Sequence, residues 1–119
     1  MRSLLIAGLL AATLPLSAQA RGFSTEDLGS VPDDPSCIRQ AEATFAAFKR
    51  EVEAGDYQSG SWTAALYRIY GDDFDAIITC NYGPDGNSRA TLVVHSGYDT
   101  DRVLRKRAAE RLKELWKQY

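Results

Sequence analysis

The chain has 119 residues, 45% of them hydrophobic and 25% charged, with a formal net charge of −2. That length suits one domain and excludes two of ordinary size, and so mild an acidic balance selects no particular charged partner. There is no internal repeat and no low-complexity tract, which excludes solenoid and fibrous architectures.

The N-terminus reads as a secretory signal peptide over residues 1–20. Arg2 opens it, an apolar run follows from Leu4 to Leu14, and Ala18-Gln19-Ala20 supplies a small-x-small cleavage site after Ala20. The run is too short to span a bilayer, and the Ala-x-Ala ending favours cleavage over retention as an anchor. The expected location is therefore the periplasm or the medium. Residues 21–34, RGFSTEDLGSVPDD, mix Gly, Ser, Pro and acids with no apolar period and read as a flexible leader to a single domain at 35–119.

A helix is expected next. Asp34 can cap it with Pro35 at the first helical position, Ile38, Ala41, Phe45, Phe48 and Val52 recur at helical spacing, and Gly55 can end it. Segment 61–70, SWTAALYRIY, reads as a strand, with Gly71-Asp72 as a two-residue hairpin loop that sets Ile69 opposite Phe74, Tyr67 opposite Ala76 and Ala65 opposite Ile78. From Phe74 to Tyr82 the period is two, the mark of a strand. Gly83-Pro84-Asp85-Gly86 is turn chemistry, and the return strand 88–96 then places Cys80 opposite Ala90, Ile78 opposite Leu92 and Ala76 opposite Val94. A final helix is expected from about Asp101 to Lys117, capped by Asp99 or Thr100, with Leu104, Ala108, Leu112, Leu115 and Tyr119 as its apolar stripe. The expected fold is thus α+β: an N-terminal helix, a three-stranded antiparallel meander and a C-terminal helix.

Cys37 and Cys80 are the two cysteines. In an exported chain an isolated pair reads as one structural disulfide, here tying the first helix to the central strand. With one distant His they make an incomplete tetrahedral set, so no metal is expected. No cofactor is expected either: the sequence has no Gly-rich phosphate loop, no His-Glu-x-x-His, no Gly-x-Ser-x-Gly and no complete calcium loop.

The second face of the expected sheet carries the candidate site. In that register it presents Trp62, Ala64, Leu66, Arg68 and Tyr70, then Asp75, Ile77 and Thr79, then Thr91, Val93 and His95. Trp62, Leu66, Arg68, Tyr70, Asp75, Ile77, Val93 and His95 are the expected binding residues if the face is open; the last helix or a second copy of the chain could instead cover it. Arg102, Arg105, Lys106, Arg107, Arg111, Lys113 and Lys117 crowd the last helix. Interleaved with Glu110 and Glu114, they read as a solvated face rather than a nucleic-acid or membrane surface, with Lys106–Glu110 and Arg111–Glu114 at pairing distance.

The functional expectation is a small exported protein without catalysis of its own, of the inhibitor, immunity or accessory kind. Its partner would be another envelope protein, with no nucleic acid and no stable membrane insertion. From a different class comes a small envelope hydrolase or transferase in which His95, opposite Asp75, acts as base.

Overall fold

A computed structural model describes residues 22–97 and 102–119; the expected signal segment and the caps Asp99 and Thr100 lie outside them. The elements run β1 Gly22–Val31, α1 Asp34–Lys49, β2 Tyr57–Ser59, β3 Thr63–Leu66, a 3₁₀ turn Ile69–Gly71, β4 Phe74–Tyr82, β5 Ser88–Ser96 and α2 Arg102–Trp116. All five strands form one antiparallel sheet in the order β1-β5-β4-β3-β2. The protein is α+β as expected, but its sheet is larger than a three-stranded meander.

The β4–β5 hairpin has the expected register, with Cys80 opposite Ala90, Ile78 opposite Leu92, Ala76 opposite Val94 and Asp75 opposite His95. Its even-numbered residues are buried at 0% exposure from Ala76 to Cys80 and from Ala90 to Val94, because both helices pack on that side. A one-residue slip would turn all of them to water. The turn closes as the chemistry demands: Gly83 N–H donates to Asn87 O at 2.7 Å, and Gly86 takes φ +81°.

α1 starts one residue earlier than expected. Asp33 is the cap, its Oδ1 accepting from Ser36 N–H at 2.7 Å, and Asp34 is the first helical residue. Ile38, Ala41, Phe45 and Phe48 enter the core as expected, whereas the helix ends at Lys49 and leaves Val52 in the following loop. Cys37 and Cys80 are joined, with Cα atoms 6.0 Å apart, and both are 0% exposed. This bond welds the first turn of α1 to the centre of the sheet.

Three expectations are corrected. First, residues 22–31 are no leader but the edge strand β1, paired along its length with β5. It carries a bulge at Leu28, where Gly29 takes φ +89° and its N–H donates to Asp27 Oδ1 at 2.9 Å. Its first inward residues escape an apolar search because they are polar and meet cations of α2: Arg105 Nε donates to Ser24 Oγ at 3.1 Å and Lys113 Nζ to Glu26 Oε2 at 3.0 Å, whereas Leu28 and Val31 further on pack against the core. A second short edge strand, β2, also lies outside the expected meander.

Second, β3 pairs with β4 one residue out of the expected register, with Leu66 opposite Ala76 and Ala64 opposite Ile78. Gly71-Asp72 does not close a two-residue hairpin. The chain instead makes a 3₁₀ turn, with Arg68 at φ 55° and Tyr70 at φ 62°. The shift sends Leu66 and Ala64 into the core and frees Ile69 to follow them, all at 0% exposure, while Tyr67 stays outside at 41%. Burying a Leu or Ile side chain contributes about 1.5–3 kcal/mol, enough to offset left-handed backbone at about 1–2 kcal/mol per residue.

Third, the buried stripe of α2 is rotated towards β1. Arg105, Ala108, Ala109, Leu112, Leu115 and Trp116 face inward, whereas Leu104 and Tyr119 are 41% and 53% exposed. Gln40 Nε2 donates to Trp116 O at 2.9 Å, and Arg111 pairs with Glu51, so α1 and the loop after it grip α2 from the side.

Candidate binding surface

With both helices on one side of the sheet, the other side has no covering element among the described residues. Strand pairing arranges its side chains in rows across the strands. The central row is Thr25, Val93, Ile77 and Ala65. Neighbouring strands lie about 4.8 Å apart, so this row runs about 14 Å across four strands. One flanking row is Phe23, His95 and Asp75, and the other is Asp27, Thr91, Thr79 and Thr63.

Phe23, 62% exposed, rests its ring on His95 with centroids 5.0 Å apart and planes tilted by 43°. Ile77 is 36% exposed at the middle of the sheet. At the rim, Arg89 Nη2 donates to Asp27 Oδ2 at 3.0 Å. The Gly29 N–H, then the Arg89 guanidinium, holds the Asp27 carboxyl below the usual carboxylate range. The surface therefore has an apolar middle, one aromatic flank, a threonine flank and a charged edge.

Of the eight expected binding residues, Asp75, Ile77, Val93 and His95 share this face. Leu66 does not: the register shift places it in the core. Tyr70 turns inward as well, half-buried edge-on against Phe74 with ring centroids 5.5 Å apart; burial raises its phenol pKa. Arg68 lies in the loop after β3 rather than in a strand. Trp62 is 56% exposed just before β3, and its carbonyl accepts from Cys80 N–H at 2.7 Å. The face gains Phe23, Thr25 and Thr63, which sequence reasoning missed; Ala65 ends the central row at 8% exposure and adds little surface. No apolar alternation marks β1: Phe23, Thr25 and Asp27 on one face and Ser24, Glu26 and Leu28 on the other each mix apolar and polar residues.

Asp75 and His95 are cross-strand neighbours, yet no hydrogen bond or ion pair joins their side chains. Asp75 Oδ1 instead accepts from Arg68 N–H at 3.3 Å. The contact that would orient His95 as a general base is thus not made. An open hollow of about 290 Å³ is lined by Arg68, Gly71, Asp72 and Asp73, and His95 is not in its lining. Among the described residues no three His, Cys, Asp or Glu side chains are gathered in a way that could hold a metal ion. The chain matches no family model, no curated protein and no solved structure with which it was compared.

Proposed function

We propose that this is an exported, non-catalytic binding protein that engages another protein of the envelope through the open face of its sheet. One observation carries the reading: both helices pack on the same side, and the side they leave bare has an apolar row framed by Phe23 and His95. The disulfide supports an oxidising compartment. Among the described residues no helix is long and apolar enough to cross a membrane. A covalently braced sheet suits recognition, since little ordering entropy remains to be lost when a partner binds.

The test is affinity capture from a periplasmic extract with the wild-type chain and with an Ile77→Lys/Val93→Glu variant. The two positions face each other across β4 and β5, so the introduced charges are opposite rather than alike, and circular dichroism melting confirms that the variant folds. The reading expects a partner retained by the wild type and lost by the variant. A partner held equally by both would move the binding site elsewhere.

A further inference from the structure

Arg102, Lys106 and Arg107 occupy the first two turns of α2 and are all exposed. Helical spacing puts Lys106 and Arg107 three and four residues after Val103, and Arg107 three after Leu104, so the apolar pair lies among the cations. Val103 is 62% exposed and Leu104 41%. Further along the helix the charge is neutralised, Lys113 by Glu26 and Arg111 by Glu51 and Glu114. The expected Lys106–Glu110 pair does not form, and among the described residues Arg102, Lys106 and Arg107 make no ion pair. Among the described residues Glu110 is the only acid on the exposed side of these turns; in sequence Asp99 and Asp101 lie just before Arg102.

The charge is polarised along the sequence. Residues 102–119 hold seven Lys and Arg against two Glu, while residues 22–101, Asp99 and Asp101 included, hold fourteen Asp and Glu against five Lys and Arg. The positive pole is the convex outer surface of a helix, a shape that suits a flat partner better than a pocket.

We propose that the N-terminal half of α2 is a peripheral docking face for an anionic lipid bilayer. Arg102, Lys106 and Arg107 meet the headgroups, and Val103 and Leu104 enter the interfacial layer between them. An acidic polypeptide would satisfy the cations but gives no reason for two exposed aliphatic side chains among them. The acidic remainder of the chain is repelled by the same surface, so the charge dipole selects this orientation. α2 packs on the opposite side of the sheet from the open face, so lipid and a protein partner can be held together.

The test is flotation of the full chain with large vesicles of phosphatidylcholine alone, or with phosphatidylglycerol added to about a third of the lipid. Each condition is run at low and at high salt. Phosphatidylcholine binding sets the baseline that the apolar run 4–14 contributes. The proposal expects the partition constant to rise with phosphatidylglycerol and fall with salt, and an Arg102→Gln/Lys106→Gln/Arg107→Gln variant to lose about tenfold or more on the mixed vesicles. Val103→Ser/Leu104→Ser should lose several-fold with its salt dependence intact. Circular dichroism melting confirms that these surface variants fold. Equal binding to both vesicle types, or a glutamine variant that binds as well as the wild type, overturns the proposal. So does binding of soluble polyglutamate without binding of the mixed vesicles, which would assign the face to an acidic polypeptide.

Discussion

Arg105 donates from Nε to Ser24 Oγ at 3.1 Å across 81 positions of sequence, and its Nη1 donates to Ser96 Oγ at 2.8 Å. The side chain is 5% exposed, and a Cβ on Gly22 would overlap its guanidinium. One buried cation thus holds the N-terminal edge strand, the end of β5 and the first turn of α2 together. Hydrogen bonds to a charged group contribute about 1.5–3 kcal/mol, so Arg105→Ala should lower stability by roughly that amount. The loss should be local first: amide exchange of residues 22–27 should accelerate well before that of β4. Uniform acceleration across the sheet would show that Arg105 does not secure β1 in particular.

The Cys37–Cys80 bond closes a separation of 43 residues. The chain-entropy model gives about 4 kcal/mol for such a loop, a large part of what a domain this size retains. A Cys37→Ser/Cys80→Ser variant should melt well below the wild type, and the native protein should show no titratable thiol until it is reduced. An unchanged melting temperature would contradict the structural role.

Leu66 and its neighbour Tyr67 test the β3 register. Leu66→Ala should cost about 2–5 kcal/mol, because a 0% exposed side chain leaves a cavity among packed neighbours. Tyr67→Ala, at 41% exposure, should cost far less. Denaturant unfolding of the two variants decides the matter; the opposite order would indicate the register in which Tyr67 opposes Ala76.

Acid should destabilise the fold through a few surface carboxylates. The Ser36 N–H lowers the pKa of Asp33, the Gly29 N–H that of Asp27, and the Arg111 guanidinium that of Glu51. A carboxyl whose pKa is depressed by folding stabilises fully above its unfolded value and loses that contribution as pH falls through its folded one. Stability should therefore hold at neutral pH and begin to fall below about pH 4. Asp33→Ala should flatten this acid limb while also weakening the start of α1. A limb of unchanged slope in urea melts taken from pH 5 to pH 2 would remove Asp33 from the account.

The legible parts of this fold were those where side chains near in sequence carry the whole signal. The period-two run of β4, the Gly83–Gly86 turn and the matching apolar residues of β5 leave a single self-consistent register, because any slip exposes one entire buried face. The Cys37–Cys80 pairing follows from the same local reading, since both residues fall on core faces. Four of the eight proposed site residues, Asp75, Ile77, Val93 and His95, lie on this hairpin and share the open face. What lay beyond the sequence depended on distant partners. β1 presents Ser24 and Glu26 inward, and these are satisfied only by Arg105 and Lys113, more than eighty residues away. The β3 register was decided by a competition between a short local hairpin and the burial of Leu66 in place of Tyr67, and tertiary burial won. The same competition moved Leu66 and Tyr70 off the candidate surface. Sequence alone thus determined the central hairpin and its staple, while packing against two helices decided which strands flank it and which of its faces stays bare.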